Sequence, residues 1–110
     1  MSRAEIKYRV PYADTDQMGV VYYAHYLVYF ERLRNELLRE AGLPYHEIEK
    51  QGLMLPVIEA VCRYRNPARY DDMLAVCGWV DELKGVKVRI CCEIRRKGEL
   101  LAERILSQGT

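Results

Sequence analysis

Two aspartates, Asp14 and Asp16, stand two residues apart in the stretch PYADTDQMGVVYYAHY, Pro11 to Tyr26, ahead of Gly19, Val20 and an aromatic run. A carboxylate can serve as a nucleophile or as a general base, so such a pair beside a glycine is a place to look for chemistry. The same residue types also build structure, because Asp accepts hydrogen bonds at a helix start and Gly tolerates a positive φ. The two readings part at Asp16. It precedes the onset of helical periodicity by several residues, too far to cap the helix, and is placed instead beside the end of a helix that stabilises anions.

The helix that must do this positioning follows at once. Tyr26, Phe30, Leu33, Leu37 and Ala41 recur at spacings of three and four, predicting an amphipathic helix from about Tyr23 to Ala41. Glu31, Arg32, Arg34, Glu36, Arg39 and Glu40 make up its solvated side. Gly42 can take the left-handed position past the end, Leu43 can cover the last turn, and Pro44 blocks continuation. A short helical turn over Pro44 to Gly52 is a weaker reading.

The strands hold the helix in place. EIKYRVPY, Glu5 to Tyr12, alternates with Ile6, Tyr8, Val10 and Tyr12 on one face, which predicts a half-buried strand. After Gly52 four more strand segments follow. LPVIEAVCRYR sets Ile58, Ala60, Cys62 and Tyr64 opposite Val57, Glu59, Val61, Arg63 and Arg65, and NPARYDD ends it with turn residues. MLAVCGWV comes next, then VKVRICCEIR with Val86, Val88, Ile90, Cys92 and Ile94 facing inward. Lys97 and Gly98 predict a hairpin turn into ELLAERILSQGT. One strand, one long helix and four strands on short turns imply an α+β fold, an antiparallel sheet of about five strands curled around one central helix. Such a sheet leaves edges open, so a dimer at least is expected.

Composition narrows the partners. The 110 residues suffice for one domain spanning 1–110, and a formal net charge of +1 gives no uniform electrostatic footprint for nucleic acid. No apolar run approaches the roughly 20 residues of a membrane span and MSRAEIKYRV lacks a signal-peptide core, so a cytoplasmic protein is expected. Cys62, Cys77, Cys91 and Cys92 match no zinc-ligand spacing and read as small buried hydrophobes.

The segment DTDQMGVVYYAHYLVYFERLR resembles the active-site signature of the 4-hydroxybenzoyl-CoA thioesterase-like hot-dog-fold acyl-CoA thioesterases, the group that includes the Tol–Pal-cluster thioesterases. GLPY, the NPARYDD turn and the hairpins that follow extend the resemblance over nearly the whole chain. It implies a thioesterase acting on short-chain or aromatic acyl-CoA, with Asp16 as the catalytic carboxylate. The Tyr23 backbone N–H would polarise the thioester carbonyl, and Gly19 and Val20 would shape the loop under the substrate. Tyr23 stands where many members have His or Asn, and His25 where Asn or Ser is common. Relatives usually run some twenty residues beyond Thr110, so the final strand is expected to be incomplete.

The chemistry is coherent with that resemblance. Oxygen attack on a thioester puts negative charge on the carbonyl oxygen, which a helix-terminal N–H stabilises, and coenzyme A brings its own leaving thiolate, so no metal or cofactor is required. There is no GxSxG nucleophile elbow. His25 is a candidate substrate contact or an alternative base, and His46 and Glu59 read as surface residues. Arg63, Arg65, Arg69, Lys84 and Lys87 are candidates for the coenzyme A phosphates, with Arg65 and Arg69 preferred. Tyr22, Tyr23, Tyr26 and Tyr29 could line an acyl pocket or pack the core. Two other functions compete with this reading: a non-catalytic acyl-CoA-binding module, and a hot-dog hydratase or dehydratase, which would pair a His with an acid and against which the DTDxxG arrangement argues.

Overall fold

In the computed structural model, which describes residues 3–40, 56–84 and 87–109, one helix lies across one face of a five-stranded antiparallel sheet. The elements in chain order are β1 Arg3–Arg9, a 3₁₀ turn Tyr12–Asp14, α1 Tyr23–Glu40, β2 Val57–Tyr64, β3 Met73–Lys84, β4 Lys87–Arg96 and β5 Glu99–Gln108. The sheet order is β1-β3-β4-β5-β2. Strands β3, β4 and β5 are joined by short connections and pair in sequence, while β1 and β2 close the two edges.

The helical stripe is buried as its spacing predicts. Tyr26, Tyr29, Phe30, Leu33 and Leu37 turn inward and meet Leu74, Val76, Ile90, Cys92, Ile94 and Leu101 of the sheet, and Leu38 is buried beside them in the helix. Close approach depends on Gly78, where a Cβ would stand 2.7 Å from Leu33 Cδ2 and 3.2 Å from the Cys91 carbonyl oxygen. The β4–β5 turn carries Lys97 at φ 50° and Gly98 at φ 83°, the positive pair that a two-residue hairpin requires. Ala41 and Gly42 to Pro44, the predicted helical turn to Gly52, His46 and Val86 lie outside the described residues.

Two local readings change. The first strand ends at Arg9, and Tyr12 is 72% exposed instead of sharing the face of Ile6, Tyr8 and Val10. Pro11 has no N–H to continue the ladder, and the chain folds into a turn closed by Asp14 N–H to the Pro11 carbonyl at 3.1 Å and Thr15 N–H to that of Tyr12 at 3.0 Å. In β2, every residue but Cys62 is exposed. The helix packs chiefly on β1, β3 and β4 and meets this edge strand at Tyr64, whose ring packs on Tyr23 and Tyr26.

The charged side of α1 is not wholly solvated. Arg104 on β5, 3% exposed, donates from Nη1 to Glu31 Oε1 at 2.9 Å, and Arg34 pairs with the other Glu31 oxygen. Glu31 thus bridges two guanidinium groups between helix and sheet.

Candidate active site

The loop before α1 and the turn after β2 are joined by main-chain bonds. Val21 N–H donates to the Ala68 carbonyl at 2.8 Å, Tyr70 N–H donates to that of Gly19 at 3.1 Å, and Val20 bridges Arg69. Gly19 adopts φ 75°, which lets the chain reverse between Asp16 and Val20. Asp72 fixes the facing turn by accepting the Arg69 N–H at 2.8 Å and Arg96 Nη1 at 2.7 Å.

The two aspartates occupy different surroundings. Asp16 is exposed, and its Oδ1 accepts the Met18 N–H at 2.8 Å and the Val20 N–H at 3.4 Å, an Asp side chain closing its own turn. Its main chain adds bonds to Val20 and Gly19. Asp14 is sheltered, its side chain only 15% exposed. Oδ2 accepts the Tyr29 hydroxyl at 2.6 Å and that of Tyr8 at 3.1 Å, and His25 Nδ1 lies 3.6 Å from Oδ1. Burial first, then the Asp14 carboxylate, pushes the Tyr29 phenol well above its ordinary range, and the same two causes raise Tyr8.

The helix start completes the arrangement. The Tyr22 carbonyl accepts the His25 N–H at 2.9 Å and so opens α1, which leaves the N–H groups of the first turn, beginning with Tyr23, without intrahelical acceptors. Tyr22 N–H is tied back to the Asp14 carbonyl at 3.3 Å.

A cleft of about 500 Å³ lies here, lined on one side by Asp16, Val20 and the Tyr22–Tyr23 start of α1, and on the other by Tyr64, Arg65, Asn66 and Pro67. Of the residues singled out in the sequence, Asp16, Val20, Tyr23 and Arg65 meet there. Gly19, His25 and Arg69 do not line it. Arg65 is engaged with Glu103 at 2.8 Å. Tyr26 and Tyr64 pack with ring centroids 5.3 Å apart, and Tyr23 and Tyr64 4.9 Å apart, so the walls are largely aromatic. Sequence spacing gave no sign that Tyr64, Asn66 and Pro67 face the Asp16 loop, since they read only as a strand end and a turn. Among the described residues, no group of three or more His, Cys, Asp or Glu side chains could hold a metal ion.

Residues 10–106 match the Thioesterase-like superfamily. The acyl-CoA thioester hydrolase YbgC of Escherichia coli is 39% identical over 85 residues, 73% of this chain and 60% of that protein. The crystal structure of a hypothetical protein, TT1821, from Thermus thermophilus is 37% identical with a TM-score of 0.89, covering 97% of this chain and 82% of the other. The 4-hydroxybenzoyl-CoA thioesterase of Pseudomonas sp. strain CBS-3 has the same fold, with a TM-score of 0.87 at 17% identity over 99% of this chain and 84% of the other. This chain spans 59–62% of the length of the curated relatives it matches first.

Proposed function

The chain belongs to the Thioesterase-like superfamily and has its hot-dog fold, and from that premise we propose that it hydrolyses acyl-CoA thioesters to the free acid and coenzyme A. One observation carries the reading: the Asp16 carboxylate and the start of α1 at Tyr23 line the same cleft. Asp16 is pinned through Oδ1, which leaves its second oxygen for the reaction. It attacks the carbonyl to give a mixed anhydride that water opens, or it takes a proton from the attacking water. Either route builds negative charge on the carbonyl oxygen, and the Tyr23 N–H is the donor for it. Loss of one such donor typically costs about 10²- to 10³-fold in rate.

The remaining parts follow from position. Gly19 and Val20 shape the floor of the loop, and Arg65 at the cleft is the better placed guanidinium for a coenzyme A phosphate, exchanging Glu103 for it. Arg69 and His25 stand off the wall, which favours a supporting role for both and favours carboxylate over histidine chemistry. Aromatic walls suit short-chain or aromatic acyl groups. The reaction calls for no metal or other cofactor, because the leaving thiolate is part of the substrate.

The open edge of β2, with Val57 and Ile58 each more than half exposed, suits a second copy of the chain. We therefore expect a homodimer, or a homotetramer built from it, and sedimentation at micromolar concentration tests this. A fully active monomer would contradict it. A coenzyme A substrate suits a cytoplasmic location, and among the described residues no helix is long and apolar enough to cross a membrane.

Release of free thiol from a panel of acyl-CoA esters tests the reading directly. Binding without release would favour an acyl-CoA-binding module, and hydration of an enoyl-CoA without thiol release would favour a hydratase.

A further inference from the structure

Resting on the thioesterase reading, we propose that the Tyr26 hydroxyl donates a hydrogen bond to the carbonyl oxygen of the bound acyl thioester, as a second donor beside the start of α1. The argument begins with where phenol protons go. Tyr8 and Tyr29 both give theirs to Asp14. Among the three tyrosines of the core cluster, Tyr26 is the exception. Its oxygen accepts the buried Ala68 N–H at 2.9 Å, and among the described residues no hydrogen bond is donated by its own O–H. A phenol that accepts from a main-chain amide still has one proton to place.

The surroundings direct that proton toward the cleft. Tyr26 is part of the cleft wall although only 2% exposed, and Ala68 adjoins Pro67, which forms the opposite wall. Tyr64, Tyr29 and Tyr23 surround the ring, with centroids 5.3, 6.2 and 6.5 Å away, so it has little freedom to swing elsewhere. Helical side chains lean toward the amino terminus, so a residue three positions into α1 reaches back over the turn that begins at Tyr23. Both donors therefore serve one end of the cleft. The carbonyl oxygen is the acceptor that every acyl thioester brings there, and its acceptor strength rises as the tetrahedral intermediate forms.

The group acts by hydrogen bonding and not by proton transfer. Burial raises the Tyr26 phenol above its ordinary range near 10, whereas a thiol ionises near about 8.5. A departing thiolate would not take this proton. No bond to Tyr26 forms or breaks.

The test compares two probes by calorimetry: the ketone analogue of acetyl-CoA, with a methylene in place of sulfur, and coenzyme A itself, which has no such carbonyl. Tyr26→Phe should weaken the ketone analogue by about tenfold or more while leaving coenzyme A within about twofold. It should also lower kcat on acetyl-CoA by about 10- to 100-fold, near the loss of an oxyanion donor. Equal changes for the two probes, or none, would overturn the proposal. Because Phe strands the Ala68 N–H and could weaken the fold, 3-fluorotyrosine at position 26 serves as a second variant. It keeps that bond and is a stronger donor, so affinity for the ketone should rise; an unchanged affinity overturns the assignment. If the parent releases no thiol but the probes still differ, hydrolysis fails and the donor stands. Thiol release with no difference between probes removes the donor alone.

Discussion

The Tyr29 hydroxyl donates to Asp14 Oδ2 at 2.6 Å, joining the core face of α1 to the loop two residues before Asp16. With the Tyr8 hydroxyl on the same oxygen, this bond ties Asp14 to both α1 and β1. A hydrogen bond to a charged partner contributes about 1.5–3 kcal/mol, and here it also orders the approach to the helix start.

Its pH dependence has a definite sign. Burial and Asp14 raise the Tyr29 phenol in the folded protein, so the unfolded chain loses this proton first as pH rises. The contribution is fully present below about pH 10, the unfolded value, and is lost above it toward the folded value. Tyr29→Phe should lower the melting temperature by a constant amount between about pH 6 and 9, and that deficit should shrink above 10. A deficit that stays flat to pH 11 would show that the phenol is not so placed.

Gly78 is predicted to resist any side chain. Gly78→Ala puts a Cβ against Leu33 Cδ2 and the Cys91 carbonyl, and overpacking of this kind costs about 1–3 kcal/mol. Trimming Leu33 to Val in the same chain should recover part of the loss, because the two changes share one contact. Chemical denaturation of the four proteins of the cycle measures the coupling, and simple additivity would rule out the steric account.

How much of this was legible in the sequence differs from element to element. The α1 stripe and the Lys97–Gly98 turn were readable because a helical period and a positive-φ hairpin pair are local signals. The exposure of β2 was not, since alternation reports two faces but not which of them a helix covers. Asp14 and Asp16 look alike in sequence; their difference is made by Tyr8 and Tyr29, six and fifteen residues from Asp14. Glu31 reads as part of the solvated side of the helix, yet its partner Arg104 lies 73 positions later.

That long-range pair carries its own prediction. Removing the charge at Glu31 leaves the buried Arg104 without its anion, and because Glu31 itself is 43% exposed the loss is that of a hydrogen bond to a charged group, about 1.5–3 kcal/mol. Glu31→Gln should be destabilising in denaturant, and Glu31→Gln with Arg104→Met should recover much of the loss. A double variant no better than Glu31→Gln alone would contradict this account.

The central claim is that Asp16 does chemistry while Asp14 holds the site together. Asparagine at position 16 keeps the size and the acceptor for the Met18 N–H but can act neither as nucleophile nor as base. The decisive measurement is kcat for a small acyl-CoA, taken together with the melting temperature, for Asp16→Asn and Asp14→Asn. The account predicts a loss of about 100-fold or more for Asp16→Asn with a melting temperature near the parent's. Asp14→Asn should show the reverse, a lowered melting temperature with turnover per folded molecule largely kept. Turnover within about threefold of the parent in Asp16→Asn, far short of the 10² that general-base catalysis supplies, would contradict it.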